Sequence, residues 1–408
     1  MDKEKILNLA QDIQEDLTEL RRHFHAHPEL SWKETETSRL IKVELEKMAL
    51  FNIRHGFKGT GSGVMADLIG HKAGSCVALR ADIDGLPILE ENDFSYISQN
   101  PGVMHACGHD AHTAILLGAA RLLSKMREEI HGTVRFIFQP AEEAGTDSGA
   151  PAMIAEGVLD GVQAIAGLHV MSHLTAGCFA IRKGPIMASA DVWELTIQGQ
   201  GGHTAFPHLS VDPTVAASHI IGMLQTIVSR ELDPLENTVV SIGKLEAGSA
   251  FNVIPDKVIM SGTVRSTRRE TRDGMEARFR RIIDGACAAL RCSTKLTYTP
   301  VYPVTINDDY LTNMLRECAE ELLGPEKCLE LSPVMASEDF AYYGETIPAV
   351  FGMFGIGDPS KGTDRPHHSP HFNANDDILS DGAALMAGFA LTYLERLQQC
   401  DSRKYGSK

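Results

Sequence analysis

The sequence predicts an α/β protein of two domains, an α/β sheet domain interrupted by a smaller α+β unit. Three observations predict it. Helical and short apolar strand patterns alternate through the first 180 or so residues, the pattern changes after Gly184-Pro185, and 408 residues exceed what one hydrophobic core usually encloses.

Ile6, Leu9, Ile13, Leu17, Leu20 and Phe24 recur at helical spacing and stop before Pro28, so the chain is expected to open with one amphipathic helix. A second helix is expected over Glu34 to Met48. Val64 to Ile69 and Cys76 to Leu79 have the pattern of apolar strands, Ile115 to Met126 of a helix, and Val134 to Phe138 and Val162 to Leu168 of further strands. Such alternation implies a sheet covered on both faces. Beyond Gly184-Pro185 the order is strand (Asp191 to Gln198), helix (Pro213 to Val228), strands (Thr238 to Leu245, Lys257 to Val264), helix (Arg269 to Leu290) and strand (Thr294 to Tyr298). This β-α-β-β-α-β order is that of a ferredoxin-like unit. The first pattern resumes with a helix over Leu311 to Leu323, a strand over Ala349 to Phe354 and a final helix from Ser380 to about Leu397. The expected domains are residues 1–186 with 302–408, and 187–301 inserted between them.

Composition narrows the function. Hydrophobic residues are 43% and charged residues 23%, ordinary for a globular protein, which argues against disorder. Lys+Arg 38 against Asp+Glu 54 gives −16 with no basic stripe, which disfavours nucleic acid and anionic membrane and favours a small-molecule substrate. The start, Met1-Asp2-Lys3-Glu4-Lys5, lacks the apolar core of a secretion signal, and no run of about 18 apolar residues occurs, so a cytoplasmic protein is expected. The eight cysteines (Cys76, Cys107, Cys178, Cys287, Cys292, Cys318, Cys328, Cys400) have no disulfide-framework spacing, and most are expected to be reduced, buried thiols.

Cys107 is the exception. It lies in His105-Ala106-Cys107-Gly108-His109-Asp110-Ala111-His112, which sets a thiol two residues from an imidazole with Asp110 and His112 able to orient them. The plain alternative is a polar helix cap beside a buried cysteine. Glu142-Glu143 follows the strand Val134 to Phe138, where open α/β sheets place ligands, so that one carboxylate could bind metal while its neighbour acts as general base. An isolated Glu pair is more often a solvated acidic loop. His169 closes the strand Val162 to Leu168, and His367-His368 follows the strand Ala349 to Phe354. Repetition is what raises these residues above their ordinary readings, since successive strand-and-loop units deliver Cys, Glu and His to one sheet edge. Cys107, His109, Glu143, His169 and His368 exceed the three protein ligands of a typical catalytic zinc, which points to two metals. No H-E-x-x-H, G-x-S-x-G or Walker A pattern occurs, and Gly61 to Ala66, though it fits G-x-G-x-x-A, precedes a strand rather than a helix.

Taken together, Arg22 to Leu30, Leu79 to Pro87, Met104 to His112, Phe138 to Gly145, Gly167 to His169, Gly201 to Ala205, Asn252 to Asp256, Ser337 to Phe340 and His367 to Ser369 resemble the M20 metallopeptidase family. The likeness is to its amidohydrolase branch, the hydrolases of N-acyl amino acids, hippurate and auxin conjugates. It implies a mixed-sheet, zinc-peptidase-like catalytic domain with an inserted lid through which such enzymes form a homodimer or higher homo-oligomer. The resemblance also implies Glu142 as general base and two divalent ions (Zn, Mn, Co or Ni) on Cys107, His109, Glu143, His169 and His368. Where other branches carry H-x-D this chain has Arg80-Ala81-Asp82, so only Asp82 keeps a role, and Cys107 stands where a bridging Asp is usual. By the same likeness His203 would stabilise an oxyanion in the partner subunit's site, Asn252 would lie near it, and Arg265 would clamp a substrate carboxylate. The implied reaction is hydrolysis of an N-acyl amino acid to a carboxylic acid and an amino acid. A dipeptidase or N-carbamoyl-amino acid hydrolase on the same scaffold is the alternative within enzymes, and a silent metal-binding protein the alternative outside them.

Overall fold

The computed structural model describes residues 2–405, with side chains through residue 399; Cys400, counted above among the thiols, lies outside the described side chains. The chain divides into two compact units. One comprises Met1–Gly184, Ile306–Ser332 and Asp339–Lys408, the other Pro185–Thr305 and Pro333–Glu338.

The first unit opens with α1 (Lys3–Gln11), α2 (Gln14–Ala26) and α3 (Thr35–Lys47). The expected single opening helix is therefore two. The Ile13 amide bonds Ala10 O, a tighter turn than the α-helical one, and α2 starts anew. Ile6, Ile13, Leu17 and Phe24 are buried in one core across the break, so the apolar spacing persists through it and cannot reveal it.

Next come β1 (Phe51–Phe57), β2 (Ser62–Ile69), β3 (Lys72–Asp82), α4 (His109–Lys125), β4 (His131–Gln139), α5 (Gly149–Ala155), β5 (Val162–Thr175) and β6 (Phe179–Ile181). With strands Cys328–Glu330 and Ala349–Gly357 they make one mixed eight-stranded sheet, ordered β1, β2, β4, β3, β5, 349–357, β6, 328–330. β4, β3, β5 and 349–357 run parallel, so their carboxyl ends share one edge. Val77, Leu79, Phe136, Phe138, Ala166 and Val350 face a core shared with α4 and the final helix, Leu379–Tyr405. The residues between them, Ala78, Ile137, Ile165 and Phe351, are also buried, and Phe351 packs on Phe340 with ring centroids 4.7 Å apart. Both faces are thus covered, as a largely parallel sheet requires. β1 escaped the sequence pattern because it is an exposed edge strand with a register shift and a left-handed residue, Asn52. β5 also runs six residues past His169, which sits inside the strand opposite Met353 rather than at its end.

The second unit holds a four-stranded antiparallel sheet in the order 238–247, 257–266, 190–198, 293–302, with helices Pro213–Thr226 and Met275–Ala289 packed on Trp193, Leu195 and Ile197. Numbering its strands along the chain gives 2-3-1-4, the ferredoxin-like arrangement. The helix expected over Arg269 to Leu290 is interrupted at Gly274, between Arg269–Asp273 and Met275–Ala289. Glycine costs about 1 kcal/mol in a helix interior and marks the weakest point of that stretch. Residues 333–338, expected in the first domain, belong to the second unit: the Ala188 amide bonds Val334 O and Ala336 O, and Arg265 Nη1 donates to Ser337 Oγ at 2.8 Å.

All seven cysteines with described side chains are free thiols, but apart from Cys107 only Cys287 and Cys318 are buried. Cys178, Cys292 and Cys328 lie at turns and strand ends, and Cys76 where β3 leaves the edge of the sheet, which leaves each of them half-exposed. Among the described residues no helix is long and apolar enough to cross a membrane.

Candidate metal centre

The carboxyl ends of the parallel strands bring the expected donors together. After β3 the chain loops to Cys107 and turns into α4 at Gly108, whose φ is +91° and where a Cβ would meet Val170 Cγ2 at 2.3 Å, so only glycine fits. His109 is the first residue of α4. After β4 the chain passes through Ala141, a non-glycine residue at φ +56°, into a short 3₁₀ turn that carries Glu142 and Glu143. The Ala141 amide is held by buried Glu34, which accepts it at 2.8 Å. His368, also left-handed, is tied to the Cys107 loop by its amide, which bonds Ala106 O at 2.8 Å.

Donor atoms of Cys107, His109 and His169 all lie within 4.8 Å of one another, and so do those of Cys107, Glu143 and His368. Cys107 belongs to both groups. Its Sγ is 3.4 Å from His169 Nε2, and His368 Nε2 is 3.3 Å from Glu143 Oε1. His109, Glu142 and Glu143 form a third such group, with Glu142 buried and its Oε1 accepting the Asp339 amide at 3.4 Å.

Protonation here follows from burial and neighbours. Burial lifts the Cys107 thiol well above its ordinary value, and the charges of Glu143, Glu142 and Asp82 push it higher. Burial depresses His169, aided by His112 and His367. For His109 burial also acts downward, but the charge of Asp82 and the hydrogen bond to Asp84 outweigh it and raise the group to about 10. Buried His109 Nε2 has no hydrogen-bond partner. A thiol crowded by carboxylates and an orphaned imidazole nitrogen suit a divalent cation, and the mixed S, N and O set suits borderline metals such as Zn²⁺.

The residues expected to orient the donors divide. Asp82 Oδ1 is 2.5 Å from His112 Nδ1, and His112 Nε2 accepts the Val170 amide at 2.8 Å, so His112 braces β5 beside His169. Asp110 instead faces away from Cys107 and His109, to His25 Nδ1 at 2.7 Å and Arg21 Nε at 2.9 Å. In the second unit His203 and Asn252 are neighbours: Val253 pairs with His203, and the Thr204 amide bonds Asn252 O at 3.3 Å. Both are exposed, whereas Arg265 is half-buried against Ser337.

Sequence reasoning passed over Asp84, which bonds His109 Nδ1 at 3.1 Å, and the pair Arg80–Asp339, 2.8 Å apart and fully buried. Both lie in the stretches that carry the family likeness, Leu79 to Pro87 and Ser337 to Phe340, which was the available signal. Nothing marked His105, which is buried with neither ring nitrogen hydrogen-bonded.

A mixed sheet whose parallel strands gather Cys, His and Glu donors, with a spare carboxylate beside them, defines a metal-dependent hydrolase. The family model of Peptidase family M20/M25/M40 matches residues 78–392, and the chain belongs to this family. It is an amidohydrolase. The IAA-amino acid hydrolase ILR1-like 4 of Arabidopsis thaliana is 39% identical over 410 residues, covering 99% of this chain and 92% of its own. N-acetylcysteine deacetylase of Bacillus subtilis is 40% identical over 94% of this chain and 98% of its own. The crystal structure of the Bacillus subtilis YXEP protein, a dinuclear metal-binding peptidase from the M20 family, superposes with a TM-score of 0.83 at 37% identity, covering 94% of this chain and 99% of that one.

Proposed function

We propose that the enzyme hydrolyses the amide bond of N-acyl amino acids, releasing a carboxylic acid and a free amino acid, with Glu142 as general base. The observation that carries this reading is the placement of Glu142: a buried carboxylate within 4.8 Å of donor atoms of His109 and Glu143. Binding alone needs no such group. Relatives whose names describe amino acid conjugates and N-acetylcysteine, at about 40% identity over nearly the whole chain, favour the same substrate class.

Cys107, His109, Glu143, His169 and His368 would hold two divalent ions, with Cys107 shared between them, as its membership of both donor groups favours. When bound, such ions supply Lewis acidity at the carbonyl and hydroxide near neutral pH. Glu142 takes a proton from the attacking water as its oxygen bonds the carbonyl carbon, then delivers that proton to the nitrogen as the C–N bond breaks. His203 would donate to the oxyanion across a homodimer, with Asn252 beside it, and Arg265 would hold the carboxylate of the amino acid. The acidic balance fits a small-molecule substrate handled in the cytoplasm.

The test is metal content together with hydrolysis of N-acetyl amino acids, hippurate, N-carbamoyl amino acids and dipeptides, with and without Zn²⁺ or Mn²⁺. Metal-dependent release of amino acid from the acyl substrates is expected. Activity confined to dipeptides or carbamoyl compounds would replace this substrate class.

A further inference from the structure

Asp84 lies two residues beyond β3, fully buried, and four donors converge on its carboxylate. Oδ1 accepts the Glu142 amide at 3.1 Å and faces His109 Nδ1 at 3.1 Å. Oδ2 accepts the Glu143 amide at 3.0 Å and the Ser31 hydroxyl at 2.7 Å. An ionised carboxylate only accepts, at about four lone-pair positions, so these donors saturate it. Asp82 has other work: its oxygens meet His112 and Arg80, and it approaches His109 Nε2 only to 3.8 Å.

We infer that Asp84 is the positioning residue that fixes His109 relative to the Glu142–Glu143 pair. It does so by binding both backbone amides of the pair and the Nδ1 hydrogen of the imidazole, which leaves His109 Nε2 as the nitrogen free for a metal. One carboxylate thereby joins the helix that carries one donor to the turn that carries another and the base. The loop after β4 has no other anchor of this kind on the Glu142 and Glu143 amides among the described hydrogen bonds. The inference rests on the roles proposed above for His109, Glu142 and Glu143.

Asp84→Asn tests it. The amide group supplies one acceptor oxygen and an NH₂ donor, and whichever way it is turned, the amide of either Glu142 or Glu143 then faces an N–H. Two measurements are made on the full chain, with E142Q as the control. In the metal-free protein, hydrogen exchange over residues 140–145 should quicken in D84N while β4 keeps its protection. In cobalt(II) titrations against a chelator, D84N should lose about 10- to 100-fold in affinity, the usual effect of removing a partner of a ligating histidine, while E142Q keeps wild-type affinity. In turnover, kcat should fall with KM near wild type.

Wild-type values in either the exchange or the cobalt titration would overturn the positioning role, even if the wild-type enzyme hydrolyses N-acyl amino acids as proposed. Conversely, loosened exchange and weakened cobalt binding in D84N, with a wild-type chain inert on every substrate, would support the positioning role and remove the proposed function. Should D84N not fold, Ser31→Ala carries the test. It removes one donor from Oδ2 and should shift both measurements less but in the same direction, and no shift in either overturns the inference.

Discussion

Asp110 Oδ2 lies 2.9 Å from Arg21 Nε with both side chains fully buried, so the acid next to His109 is spent on α2 and not on a metal ligand. His25 reinforces the link, its ring bracketed by Asp110 at 2.7 Å and Glu90 at 3.0 Å. The network ties the opening helices to the first turn of α4, which is where His109 resides.

Removing one partner of a buried ion pair typically costs about 3–5 kcal/mol because the other charge stays buried. Arg21→Met, which keeps the apolar stem, is therefore expected to lower unfolding stability of the metal-free chain by about that amount in urea titrations. A loss below about 1 kcal/mol, as for surface pairs, would show that Asp110 finds full compensation from His25 alone.

Glu142→Gln preserves shape and the oxygen that accepts the Asp339 amide but removes the base. Metal content should equal that of the wild type while kcat falls by about 10²- to 10⁴-fold, the usual worth of a general base. Substantial surviving turnover would remove Glu142 from the reaction.

Glu34 supplies a pH dependence. Burial, with the charge of Asp84 behind it, raises this carboxyl from an ordinary 4.5 to about 8. The folded chain then binds more protons than the unfolded chain across that interval, so the contribution is present in full below about 4.5 and is lost as pH rises through about 8. Glu34→Gln, a permanent neutral mimic, should flatten this decline in metal-free unfolding experiments. A wild-type slope in the variant would mean that Glu34 is ionised throughout.

If His203 serves the site of a partner subunit, mixing a His203→Ala chain with a Glu142→Gln chain should restore up to about one quarter of wild-type activity, since random pairing makes half the dimers mixed and each of these holds one intact site. Absence of rescue in dimers proven to be mixed would confine His203 to its own subunit or exclude it.

Much of this was legible along the chain. Cys107, His109, Glu143, His169 and His368 could be picked out because each follows or ends a strand-like run, and parallel strands deliver such residues to one edge whatever the details of packing. The ferredoxin-like order of the second unit was legible for a related reason, its strands and helices each carrying their own period. The break at Asp12–Ile13 was not, because both helices present their apolar residues to the same core.

Sequence alone therefore determined which residue types meet at the sheet edge and the family they mark. Only the tertiary structure decided which carboxylate serves which neighbour. Asp82, Asp84 and Asp110 are alike as local sequence, three acids within reach of a histidine. The pairing of β3 with β4 sets Asp84 beneath the Glu142 and Glu143 amides, and the packing of α2 on α4 gives Asp110 to Arg21. Such choices rest on contacts between residues tens to hundreds of positions apart, where a shift of an ångström or two decides which donor a buried acid meets, and no local period records them.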